Sequence, residues 1–224
     1  NSIYGINSTY SMKSINSMKT LAVASQKGGS GKSTVAIHLA VAAQASGIET
    51  IIADLDPHSQ TAAEWALERS NEQPMVVKAH ADDIKELQKQ ARTEGFGLLI
   101  LDCPPYVDDV VKQATKLADY TLIPSQPRFA DIRTLPRVIG NVHKPYSVIL
   151  NACTPGLHGG ESTKTREARA VLENAGIPVA PLHVTRREAF ADALNGGSAV
   201  FEFEPEGKAA REVALLWKWL EEQW

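Results

Sequence analysis

The chain has 224 residues, 43% of them hydrophobic and 22% charged, with a net charge of −3 at pH 7. These values are ordinary for a soluble globular protein, the length suffices for one sizeable core, and no apolar run approaches the roughly 18 residues of a membrane span. They exclude a fibrous, disordered or membrane-spanning chain, while nucleic-acid binding stays open because a local basic face can sit within a neutral total.

Residues 1–17 are polar and Asn/Ser-rich, with Lys13 as their one charge. They lack the basic start and apolar block of a secretory signal. They read as a flexible tail or a remnant of cloning, with Met18 as the natural start. Beyond them, short apolar runs alternate with amphipathic stretches. Strands are predicted at 20–25, 49–55, 75–80, 97–102, 120–125, 146–151 and 177–184, and helices at 32–46, 61–70, 81–94, 108–118, 162–176 and 206–224. The apolar runs do not alternate with polar residues, so both of their faces are expected to be buried. Strands alternating with helices throughout predict an α/β fold, a mostly parallel sheet with helices on both faces. No linker or repeat divides residues 18–224, which read as a single domain. Cys103 and Cys153 show no metal-like or redox-like spacing and end apolar runs, as small buried hydrophobes do. A reducing cytoplasm suits them.

In such sheets ligands bind at the carboxyl ends of strands, and the chemistry-bearing residues follow the apolar runs. After the first run comes SQKGGSGKST (Ser25–Thr34), a strand, a glycine-rich turn and then a helix, which is the context of a phosphate-binding loop. Gly28, Gly29 and Gly31 allow backbone conformations that point N–H groups inward, and Ser30 and Thr34 complete the cradle. The helix that begins near Gly31 adds the positive end of its dipole. Lys32 would reach the β- and γ-phosphates of ATP and Ser33 would bind Mg²⁺. Gln26 stands where the usual pattern has its first glycine, and Lys27 is an additional lysine beside it.

The second run ends in IIADLDPHSQ. Asp54 and Asp56 lie two apart and would share a strand face, an uncommon placement without a cation or a catalytic reason. Capping of the following helix is the other reading. The fourth run ends in LLILDCPPYVDD, and an aspartate closing a buried strand, Asp102, is placed to hold Mg²⁺ through water. The sixth run ends at Asn151, whose amide carries both a donor and an acceptor, although strand-end asparagines also form turns.

K-G-G-x-G-K-[ST] with its leading lysine resembles the deviant Walker A motif of the ParA/MinD family of ATPases. D-x-D-P at 54–57 and D-x-P-P at 102–105 resemble that family's two switch motifs. The resemblance runs from Met18 to the carboxyl terminus. It implies that Lys27 reaches the phosphates of a partner subunit, that Asp56 orients the attacking water, that Asp54 supports Mg²⁺ and that Asn151 reads adenine. Lys27, Lys32 and Asp56 are therefore the expected catalytic residues, and Ser33, Asp54 and Asp102 the expected metal residues. The resemblance further implies an ATP-dependent homodimer that hydrolyses ATP slowly and is stimulated by a centromere-binding adaptor protein.

Within the family the motifs resemble small ParA partition ATPases more than MinD. That implies non-specific DNA binding, a role in plasmid or chromosome segregation, and a place on the bacterial nucleoid. Phosphate contacts would come from Lys and Arg, with Arg166, Arg186, Arg187, Lys208 and Arg211 as candidates and a second basic run at 128–144. A MinD-like ATPase acting on a membrane or protein assembly is the alternative. It would need a basic terminal helix, but this chain closes in EEQW, so no membrane partner is expected and Val213, Leu216, Trp217 and Leu220 should pack on the sheet. The positions of Cys103 and Cys153 disfavour an iron–sulfur electron carrier. A nucleotide-binding module that does not hydrolyse is the remaining alternative.

Overall fold

The computed structural model describes residues 18–105, 109–157 and 160–224. The expectations for the 1–17 tail, and for Asp108 at the head of a predicted helix, fall outside the described residues. The strands are β1 (Lys19–Val23), β2 (Thr50–Asp54), β3 (Met75–Lys78), β4 (Leu98–Asp102), β5 (Tyr120–Ser125), β6 (Tyr146–Cys153) and β7 (Val179–Thr185). The longer helices are α1 (Lys32–Ala45), α2 (Thr61–Leu67), α3 (Ile84–Thr93), α4 (Asp109–Leu117), α7 (Thr163–Asn174), α8 (Glu188–Asn195) and α10 (Lys208–Glu221). Three further helices are single turns: α5 (Phe129–Ile132), α6 (Leu135–Ile139) and α9 (Val200–Phe203).

All seven expected strands form close to their expected limits. They make one sheet of order β3-β2-β4-β1-β5-β6-β7, with every pairing parallel. The central strands β2, β4 and β5 are buried along their whole length because both faces are covered, whereas the edge strands β3 and β7 are partly exposed. On one face Leu21, Val23, Ile52, Leu98, Ile100, Leu122 and Ile149 pack beneath α1 and α10. On the other, Ala22, Ala24, Ile51, Ala53, Leu99 and Leu101 meet α3 and α4, while Ile123, Val148 and Leu150 meet α6 and α7. The helices that sequence periodicity did not reveal are α5, α6, α8 and α9. They span one or two turns, too short for a repeat of apolar positions to show.

Two features of this packing position the site. Helix α1 is buried continuously from Val35 to Ala43, enclosed by the sheet and α10, so its first turn is held on a rigid mount. Strand β1 is central, and the chain leaves it toward β2 and β4 on one side and later β5 and β6 on the other. That reversal opens a crevice at the carboxyl end of β1, where such sheets take their ligands. Val213, Leu216, Trp217 and Leu220 of α10 are buried, and Trp219 and Trp224 set their rings 6.2 and 6.3 Å from that of Tyr120. Among the described residues no helix is long and apolar enough to cross a membrane.

Candidate nucleotide site

The turn between β1 and α1 carries the phosphate-loop sequence. Gly29 and Gly31 have φ of +74° and +90°, the left-handed region that side chains resist. At Gly31 the requirement is doubled, because a Cβ there would fall 2.2 Å from Asn151 Nδ2. Gly31 is also the N-cap of α1, with no side chain capping the helix and no acid in its first turn. The first-turn N–H groups are thus left facing the crevice beside a positive helix end, an arrangement that receives anions. Lys32 is buried at the same place. Burial pushes its pKa down, opposed first by the nearby carboxylate of Asp102.

The two buried acids differ in what they do. Parallel pairing of β2 with β4 sets Asp54 opposite Asp102, and pairing of β1 with β4 sets Asp102 beside Val23, the last residue of β1. β2 stops at Asp54, so Asp56 does not share a strand face with it and lies in the turn beyond. Asp54 Oδ1 accepts from Asp56 N–H (3.1 Å), and Oδ2 accepts from Ala62 and Ala63 N–H (both 3.1 Å). Asp54 therefore closes the loop and caps α2, the capping reading of the sequence. Asp56 Oδ1 accepts from His58 and Ser59 N–H at 2.9 and 3.2 Å. Asp102 is different: both its oxygens are buried without a hydrogen bond of ordinary geometry, and Ser33 lies beside them. Burial raises its pKa to about 7, with Ser33 opposing and Asp54 reinforcing the rise.

Buried polar atoms rarely stay unpaired. Here Gln26 Oε1, Ser30 Oγ, both Asp102 oxygens and Gln126 Oε1 all do so, and all belong to the loop or to strand ends around it. The residues present thus fit a nucleotide with its cation: a nest of N–H groups and Lys32 for phosphates, with Ser33 and Asp102 offering oxygen to Mg²⁺. Asp102 has the most lone pairs to give, whereas Asp54 already accepts three backbone N–H groups.

Beyond the loop lies a cavity of about 220 Å³. It is lined by Gly29 and Gly31, by the polar Thr34, Gln126, Asn151 and Arg186, and by the apolar Val35, Phe190, Val213 and Leu216. An apolar lining with a few polar groups suits a heteroaromatic base. Asn151 Nδ2 donates to the Ser30 carbonyl at 2.8 Å, so this amide braces the phosphate loop from the cavity wall. Ala152 follows it with φ of +49°, an uncommon conformation for alanine.

The candidate DNA-contacting residues fall into two kinds. Arg166, Arg186, Lys208 and Arg211 are exposed; Arg211 faces Glu206 only loosely, at 3.9 Å. Arg187 points inward: its guanidinium donates to Glu212 at 2.6 Å, while the other Glu212 oxygen accepts from Thr185 N–H. Its charge is spent within the fold. Of the second basic run, Arg128, Arg133, Arg137 and Lys144 are all exposed. Sequence reasoning passed over Gln126 and Asp131. Gln126 donates to the Gly29 carbonyl at 2.9 Å, and Asp131 ion-pairs with Lys27. Gln126 directly follows the fifth apolar run, so the strand-end rule that flagged the other residues also applied to it.

Comparison with known proteins agrees with this geometry. A model described as the CobQ/CobB/MinD/ParA nucleotide binding domain matches residues 21–200. The chain is 26% identical over 205 residues to the maintenance of carboxysome distribution protein A of Halothiobacillus neapolitanus, covering 86% of this chain and 91% of that one. It is 26% identical over 199 residues to protein ParA of Rhizobium radiobacter, covering 83% of each. The solved ATP complex of a Cyanothece McdA variant superposes with a TM-score of 0.69 at 19% identity, covering 90% of this chain and 95% of that one, a likeness of fold.

Proposed function

The chain belongs to the CobQ/CobB/MinD/ParA nucleotide-binding domain family, and from that premise we propose that it is an ATP-hydrolysing positioning protein of the ParA type. It binds ATP with Mg²⁺, closes into a homodimer around two nucleotides, and in that state holds DNA and distributes a cargo along it. The observation that carries this reading is Asp102: a buried carboxylate with both oxygens unpaired, set beside Ser33 and Lys32 at the mouth of an uncapped helix. The sequence placed plasmid or chromosome segregation first. A relative named for carboxysome distribution, standing beside one named ParA, supports the broader role of cargo positioning.

The loop N–H groups of residues 28–34 and Lys32 bind the phosphates. Ser33 and Asp102 would hold Mg²⁺, which would supply neutralisation of the phosphate charge. Asp56 accepts from two backbone N–H groups through one oxygen and orients the attacking water with the other. Lys27 crosses to the partner's phosphates, making ATP part of the interface. Dimerisation doubles the basic contacts, Arg166, Arg186, Lys208 and Arg211, and so steepens DNA affinity and its salt dependence. Turnover resets the dimer, and an adaptor protein on the cargo accelerates it. The nucleoid is the working location.

DNA affinity measured with ATP, with ADP and without nucleotide tests the reading. Tight, salt-sensitive binding is expected with ATP alone, and binding indifferent to nucleotide would overturn it. ATP turnover of Asp56→Ala separates hydrolysis from mere binding; a wild-type rate in that variant would favour the module that does not hydrolyse.

A further inference from the structure

Gln126 occupies the first position after β5, lines the cavity and faces the phosphate loop. Its Nε2 donates to the Gly29 carbonyl at 2.9 Å. One residue further along the loop, Asn151 of β6 donates to the Ser30 carbonyl at 2.8 Å. Two side-chain amides from adjacent strands thus hold consecutive carbonyls of the loop. The Gly29 contact fixes which end of the Gln126 amide is which, because a flipped amide would set oxygen against carbonyl oxygen. Its Oε1 is therefore a true acceptor, and it is buried without a hydrogen-bond partner.

We propose that Gln126 is a nucleotide-positioning residue that holds the phosphate loop through Nε2 and, through Oε1, accepts a hydrogen bond from the nucleoside of the nucleotide in the cavity. The proposal rests on the reading above that a nucleotide fills this cavity. A nucleoside offers the needed N–H or O–H donor at two places, the exocyclic amine of adenine and the ribose hydroxyls. Either donor would match Oε1, a buried acceptor that the loop leaves unused on a residue that lines the cavity. Gln126 would then join loop and nucleoside: a nucleotide lacking the matching donor leaves Oε1 unpaired while Nε2 keeps its bond to the Gly29 carbonyl.

Calorimetric titration of wild type, Gln126→Leu and Gln126→Glu with ATP, ITP, 2′-deoxyATP and 3′-deoxyATP tests this. ITP lacks the exocyclic amine, and each deoxynucleotide lacks one hydroxyl. Wild type is expected to bind at least one analogue about tenfold more weakly than ATP, the usual order for one lost hydrogen bond in a closed site. In Gln126→Leu that ratio should fall to about one, which identifies the donor. Gln126→Glu keeps the acceptor and should keep the ratio, although it weakens all four ligands alike by losing the Gly29 contact. Equal binding of all four by wild type, or unchanged ratios in Gln126→Leu, overturns the proposal. A wild type that binds ATP while these ratios fail leaves the nucleotide reading intact; a wild type that binds no ATP removes both.

Discussion

Lys27, in the phosphate loop, is ion-paired within its own chain to Asp131 of α5. The two partners differ in setting: Lys27 is half exposed, whereas the Asp131 side chain is only 7% exposed. A lysine that is to reach another subunit's phosphates must first leave this carboxylate, and Asp131 would then remain buried without its cation. Under the proposed mechanism the pair would therefore oppose dimerisation until a phosphate offers Lys27 a better partner.

Asp131→Asn is accordingly expected to tighten ATP-dependent dimerisation by a few fold, a modest change because Lys27 is already partly solvated. Lys27→Ala should still bind ATP but fail to dimerise with it. Light scattering with and without ATP measures both. A normal dimer in Lys27→Ala would remove the role across the interface, and a weaker dimer in Asp131→Asn would make Asp131 a guide for Lys27 instead of a restraint.

Asp102 should cost the ligand-free protein stability. Its folded pKa is raised from 3.8 to about 7, so between these values the native state binds a proton that the unfolded chain has released. The resulting stability is present at low pH and is lost as pH rises through 7. At pH 8 the native state holds a buried carboxylate whose desolvation Ser33 and Lys32 only partly offset, and Asp102→Asn should be more stable than wild type by roughly 1–3 kcal/mol. The same variant should lose the extra thermal stability that Mg²⁺ adds to ATP-bound wild type. Melting curves at pH 8, without ligand and with ATP in the presence and absence of Mg²⁺, check both; an Asp102→Asn protein that melts lower without ligand contradicts the account.

The glycines of the loop are not equivalent. Gly31→Ala combines a φ of +90° with a Cβ 2.2 Å from Asn151 Nδ2, so it must break the brace between Asn151 and Ser30. Gly28 has no left-handed φ, and a Cβ there meets nothing within 4 Å. Without ligand, Gly28→Ala should unfold within about 0.5 kcal/mol of wild type, whereas Gly31→Ala should lose at least about 2 kcal/mol along with ATP affinity. Urea unfolding and ATP titration of the two variants would show the contrast. Equal losses would mean that the loop is mobile enough to absorb the strain.

What the sequence made legible here is what its local chemistry enforces. Seven apolar runs read as strands, and the ends of β1, β2, β4 and β6 led directly to residues of the site. Asp54 shows where that reasoning stops: its spacing from Asp56 suggested a shared strand face, yet the strand ends at Asp54 and both its oxygens are taken by backbone N–H groups. Arg187 shows a second limit, since its pairing with Glu212 joins residues 25 apart in sequence. Asp131 shows a third. It lies 104 residues from Lys27, on a helix of a single turn that carries no periodic signal.

His38 sits on α1 one helical turn beyond Thr34 and connects the phosphate-loop helix to α8 and α9. Its Nδ1 accepts from Val200 N–H at 3.2 Å, and its ring meets that of Phe190 edge to face at 5.0 Å. Burial lowers its pKa from 6.5 to about 4, with the Phe190 backbone and Glu202 opposing the shift. The native state thus keeps His38 neutral where the unfolded chain would protonate it. Its contribution is complete above pH 6.5 and declines as pH falls toward 4. Between pH 7.5 and pH 5 this should remove roughly 2 kcal/mol of stability. His38→Gln retains an acceptor for Val200 but has nothing to titrate, so its stability should fall less over the same range by about that amount. Urea unfolding of both proteins at the two pH values gives the difference directly. Parallel pH dependences would mean that His38 takes up its proton without leaving the fold, and α8 and α9 would then not be held to α1 by a neutral imidazole.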